Sequence, residues 1–219
     1  MLPHPRMRPF LGLIVLVAAV FVPEANVDAQ DAALRRALTD GEMARLNRGR
    51  LVARRTTERR GGMILIGGTS YQVIDLPPDQ LWRALKDRSQ YLRQMLPQTE
   101  EVVQLERSGN ARTLRLTHEY GIVSASYAVT FNYDDGAKTI IFRLDESRPH
   151  DLRAGWGFIR LRPWGDGGDK TLVAFGMMAD VGSGLVSGAL RPTLHEWMLK
   201  VPWTIKQYVE GIGRRRYAR

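Results

Sequence analysis

Three side chains able to move a proton or direct a hydrogen bond lie close together: His118, Tyr120 and Tyr127. A strand has period two, so over Arg112 to Tyr120 one face carries Leu114, Leu116, His118 and Tyr120. Thr113, Arg115, Thr117 and Glu119 take the other face. Over Ile122 to Tyr133 the same alternation groups Tyr127 with Val123, Ala125, Val129, Phe131 and Tyr133. An imidazole beside a phenol can serve as general acid and base. The same few polar tips on an apolar wall suit a small-molecule pocket. They also suit a solid core in which imidazole and phenol bond to backbone groups. Residue types alone leave pocket and core open, with His195 a further candidate tip.

Other chemistries find no support. His118 and Glu119 are neighbours on opposite faces, and no histidine pair has zinc spacing. His150 with Asp151, Asp145 and Glu146 reads as a solvated loop. Gly-x-Ser-x-Gly does not occur, and Gly182-Ser183-Gly184 lacks a strand-turn-helix setting. The glycines of 165–168 and 182–188 lack the lysine-serine ending of a phosphate loop. Asp134 and Asp135 are explained by a turn. The absence of cysteine removes disulfides, thiolate ligands and thiol nucleophiles. No metal, no cofactor and no catalytic residue is therefore expected.

The elements that must position these side chains are strands and one late helix. Leu51 to Thr57 and Met63 to Asp75 read as strands joined at Arg60-Gly61-Gly62. Pro77-Pro78-Asp79 opens a short helix with Leu81, Trp82 and Leu85, and a second holds Tyr91, Leu92, Met95 and Leu96. Strands then follow in series: Glu101 to Arg107, Arg112 to Tyr120, Ile122 to Tyr133, Lys138 to Asp145, Arg153 to Arg162 and Lys170 to Ala179. Short strands with tight turns imply an antiparallel sheet. In Arg153 to Arg162 the inner face is taken as Gly157, Ile159 and Leu161, because the alternative buries Arg160 and Arg162. From Leu190 to Ile212, the residues Leu190, Leu194, Trp197, Met198, Val201, Ile205, Tyr208, Val209 and Ile212 make one helical stripe. Pro202 is expected to kink this helix and free the Met198 carbonyl. The predicted wall is Leu116, His118, Tyr120, Ala125, Tyr127, Val129 and Phe142 from the strands, with Leu194, Trp197, Met198 and Val201 from the helix.

The ends and the charge bear on location. Residues 1–29 read as a signal peptide: Arg6 and Arg8, the apolar run Phe10 to Val22, and Val27-x-Ala29 before Gln30. Export to the periplasm or beyond is expected. Residues 30–49 read as a helical lead-in, with Thr39-Asp40-Gly41-Glu42 as a capping box. The net charge is +9 over 219 residues, which favours contact with an anionic membrane surface. No nucleic-acid signature accompanies it. Residues 212–219, with Arg214, Arg215, Arg216 and Arg219, read as a solvated basic tail.

The order strand, two short helices, antiparallel series and long helix resembles the SRPBCC or START-like superfamily. The local marks are Pro77-Pro78 with Trp82, Tyr91 with Leu96-Pro97, Gly157-x-Ile159-x-Leu161-x-Pro163, Thr171 and the terminal helix. The resemblance spans residues 50–211. It implies an α+β helix-grip fold: a curved antiparallel sheet wrapped around a long C-terminal helix, with an apolar cavity between. Members include lipid and sterol carriers, quinone-binding proteins and polyketide cyclases, and no universal catalytic motif transfers. The leading expectation is an exported, non-enzymatic carrier or sensor of an apolar molecule or lipid. The alternatives are a cyclase- or hydrolase-like enzyme using His118 and a cavity tyrosine, and an envelope interaction module with a filled core. Nothing in the sequence sets the oligomeric state.

Overall fold

Alternating apolar residues and glycine turns produce an eight-stranded antiparallel sheet. The computed structural model describes residues 38–87, 89–121, 123–182 and 190–218, all in one compact unit. The predicted signal peptide, the first half of the lead-in, Gly184, Ser187, Gly188 and Arg219 lie outside these residues. The strands are β1 (Val52–Arg60), β2 (Met63–Ile74), β3 (Thr99–Ser108), β4 (Ala111–Tyr120), β5 (Val123–Asp134), β6 (Thr139–Leu144), β7 (Ala154–Trp164) and β8 (Lys170–Asp180). Their order across the sheet is β1-β2-β8-β7-β6-β5-β4-β3. Six of the seven pairings join consecutive strands; the exception, β2 with β8, brings the early hairpin onto the end of the series. The β1–β2 turn is possible because Gly61 and Gly62 hold φ of +54° and +79°.

The helices are α1 (Asp40–Asn47), α2 (Pro78–Leu85), α3 (Leu92–Met95), α4 (Arg191–Leu199), α5 (Val201–Glu210) and α6 (Arg214–Tyr217). Pro78 starts α2 where a missing N–H costs nothing, and Leu81, Trp82, Ala84 and Leu85 are buried. α4 and α5 cover β2 and β8, and α3 joins α5 to β3. The core lies between them: Leu114, Leu116 and Val129 from the sheet meet Val201, Ile205 and Val209 from α5. The α+β helix-grip architecture is thus the observed one. No helix among the described residues is long and apolar enough to cross a membrane.

Several expectations change in detail. The late helix is two helices that meet at Lys200, whose N–H reaches the Glu196 and Trp197 carbonyls. Pro202 then sits in the first turn of α5, so the proline separates two helices instead of bending one. Ile212 leaves the apolar stripe and is 81% exposed, because α5 ends at Glu210. The C-terminal stretch is not a solvated tail. Tyr217 is buried, its hydroxyl donates to Asp87 Oδ2 (3.0 Å), and Arg216 Nε donates to the same oxygen (2.7 Å). In β7, Ile159 and Leu161 face the core as expected. Arg162 is nonetheless buried, with its guanidinium donating to the carbonyls of Ala137 and Leu161. Asp135 does more than fill a turn: it accepts from Trp82 Nε1 (2.6 Å) and from Lys86 Nζ (2.5 Å).

Candidate functional site

A cavity of about 200 Å³ opens between the concave face of the sheet and α4–α5. An apolar void of about 150 Å³ already accommodates a benzene-sized guest. Ten predicted wall residues line it: Leu116, His118, Ala125, Tyr127, Val129, Phe142, Leu194, Trp197, Met198 and Val201. Tyr120 is placed only by its backbone, paired with Val123; its side chain is outside the described set. His195 does not reach the cavity. It is buried against the Gly67 backbone on β2, where its Nε2 lies beside both N–H and C=O.

The sequence reading missed part of the wall. Ile159, Phe175, Met177 and Ala179 line the cavity from β7 and β8. Their period-two spacing was the available signal. Leu96, Pro97 and Gln98, from the loop after α3, had no such signal, because periodicity does not reach loops. Gln98 is a non-glycine residue at φ +54°. Its carbonyl accepts from Glu119 N–H (3.1 Å), which ties the loop to β4.

One polar cluster interrupts the apolar wall. The register sets His118 opposite Ala125 and Leu116 opposite Tyr127, so His118 and Tyr127 are diagonal neighbours. Their rings stack at 5.5 Å between centroids. His118 Nδ1 lies 3.2 Å from the Pro97 carbonyl and 3.2 Å from Thr99 Oγ1. A carbonyl only accepts, so Nδ1 carries the proton. Nε2 is then an acceptor, and Tyr127 O–H donates to it at 2.8 Å. Burial holds the His118 pKa below its ordinary value, against the opposing pull of the Pro97 and Gln98 backbone. Burial likewise pushes the Tyr127 phenol up. Both groups are therefore neutral near pH 7. Among the described residues, no three of His, Asp and Glu gather as a metal site requires.

The wall chemistry, then, is that of an apolar guest site. A family model described as polyketide cyclase / dehydrase and lipid transport matches residues 74–198, more than half of the chain. The chain belongs to this family. Its fold is similar to that of the Zhui aromatase/cyclase from Streptomyces sp. R1128, at 19% identity and a TM-score of 0.56 over 69% of this chain and 95% of that one. It is also similar to a STAR-related lipid transfer protein from Xanthomonas axonopodis: 14% identity, TM-score 0.54, 72% of this chain and 99% of that one. A START superfamily protein from Mycobacterium smegmatis gives 17% identity and a TM-score of 0.52 over 67% and 97%. Likeness at such identities concerns the fold. No curated protein matches the sequence.

Proposed function

We propose that this family member is an exported, non-enzymatic carrier or sensor of an apolar small molecule or lipid, held between the sheet and α4–α5. The observation that carries this reading is the apolar cavity of about 200 Å³. The filled core of an interaction module does not fit that void. The STAR-related neighbour is a lipid transfer protein by name, which is consistent with a carrier. Export rests on the pattern of residues 1–29, and contact with an anionic membrane rests on the net charge of +9.

Ala125→Phe tests the cavity, because Ala125 lines it. Uptake of an environment-sensitive fluorescent lipid is expected to fall at least several-fold, with little change in thermal melting. If the parent takes up no lipid and the variant loses about 1–3 kcal/mol, the space is packed and the reading fails. N-terminal sequencing of envelope-fraction protein is expected to begin at Gln30. A full-length chain found only in the cytosol would end the envelope part of the proposal.

A second reading is a cyclase-like enzyme that uses His118 with Tyr127. It is favoured by their 2.8 Å contact inside the cavity and by the aromatase/cyclase among the fold neighbours. Against it, both imidazole nitrogens already have protein partners. His118→Phe separates the two: an enzyme loses about 10²–10⁴-fold in turnover, whereas a carrier keeps most of its binding.

A further inference from the structure

We propose that the cavity recognises a neutral hydroxyl on an otherwise apolar guest, the guest O–H donating to Tyr127 Oη, and that it discriminates against carboxylates. The inference rests on the carrier reading above and specifies its ligand class.

The argument follows the protons. The Pro97 carbonyl accepts from His118 Nδ1–H, so Nε2 keeps its lone pair. Tyr127 must therefore give its only proton to Nε2. The phenol oxygen still has acceptor capacity, and Tyr127 lines the cavity. Its hydroxyl thus offers the guest an acceptor and no donor.

A carboxylate needs donors or a cation. Besides His118 and Tyr127, the N–H-bearing side chains of the described lining are neutral: Gln98, Trp156 and Trp197. No lysine or arginine is there to compensate a buried carboxylate, and the one acidic residue is Glu119. To donate to a carboxylate, Tyr127 would have to turn its proton away from His118. That would leave a buried imidazole nitrogen unpaired, a cost that cancels the new bond. Protonating His118 would also reverse the direction of the chain, and its burial opposes that charge. An alcohol or phenol needs neither change. Primary alcohols, phenols and sterols share this chemistry.

The test compares 2-naphthol, 2-methoxynaphthalene and 2-naphthoate by equilibrium dialysis at pH 7, each referred to its own octanol–water partition. The parent protein is expected to bind 2-naphthol about two- to tenfold tighter than the methyl ether, the ratio a net hydrogen bond supplies. Naphthoate is expected to bind more weakly than naphthol. Tyr127→Phe should bring naphthol toward the level of the ether, and far-UV circular dichroism with a thermal melt checks that the variant is folded. If Tyr127→Phe does not fold, the ranking in the parent decides. Equal binding of naphthol and ether, tightest binding of naphthoate, or a preference that survives Tyr127→Phe would overturn the inference while the carrier reading stands. If none of the three binds, the carrier reading falls and this inference falls with it.

Discussion

Gly157 shapes the cavity through the side chain it lacks. A Cβ there would lie 2.2 Å from the Gly176 carbonyl oxygen and 2.4 Å from the Phe142 ring. Phe142 packs between Phe131 and Phe175, at 5.7 and 6.0 Å between ring centroids, and lines the cavity with both. Gly157→Ala is expected to cost about 1–3 kcal/mol. It should also push the Phe142 ring toward the void and lower lipid uptake, read by thermal melts and fluorescence titration. Unchanged stability and uptake would show that the ring has room elsewhere. At this scale the sequence was informative about faces. His118, Ala125 and Tyr127 were legible as inward residues from alternation alone. Their contact was not, because it depends on the β4–β5 register, and one step of slip would separate them.

Two short helices are fastened by charges at the level of elements. Thr39 caps α1 through the predicted box, its Oγ1 accepting from Glu42 N–H (3.2 Å) while Glu42 Oε2 accepts from Thr39 N–H (2.8 Å). Glu42 also accepts from Arg54 on β1, at 2.9 and 2.5 Å. The Arg54 guanidinium, then the Thr39 N–H, hold the Glu42 carboxyl down from 4.5 to about 2. The folded pKa lies below the unfolded one, so this stabilisation is full above the unfolded value and is lost as pH falls from about 4.5 toward about 2. Glu42→Gln is expected to lower stability at pH 7 and to flatten that part of the acid limb in urea melts. Thr39→Ala should cost about 1 kcal/mol. At the other end, Tyr217 is 4% exposed and packs on Tyr208 at 6.2 Å between ring centroids. Arg216 lies 4.5 Å above the Tyr91 ring. Tyr217→Ala is expected to cost about 2 kcal/mol, the value of a buried aromatic at a helix free to fray. A melting temperature equal to the parent's would restore the solvated-tail picture. The basic run disguised this segment: four residues are too few for a periodic signal, and it is ordered by tertiary partners such as Asp87, Tyr91 and Tyr208.

The charge of +9 acts at the scale of the whole molecule. Arg214 and Arg215 remain exposed beside the docked Tyr217, and β1 presents Arg55, Arg59 and Arg60 along a sheet edge. Co-sedimentation with vesicles containing phosphatidylserine is expected, weakening as salt is raised. Each basic residue near such a surface is worth about 1 kcal/mol. Replacing Arg214 and Arg215 by alanine should weaken binding while leaving Tyr217 in place. Binding indifferent to both salt and these changes would remove membrane contact from the functional reading.

The sequence by itself determined the strand faces, the antiparallel series, the capping box of α1 and the family order of elements. Each of these follows from local periodicity or turn chemistry, which act between residues close in the chain. Tertiary structure decided what depends on distant partners. Lys200 ends one helix and Val201 begins the next, with Pro202 in its first turn, and both helices lie on β2 and β8. Arg162 and Tyr217 are buried because carbonyls, Asp87 and Tyr208 await them. The cavity itself is a volume that remains when side chains from β4 to β8, α4 and α5, ten of them predicted, and a loop at Pro97–Gln98 fail to fill the space between them. Alternation says which way a side chain points; only packing says how far its neighbour stands.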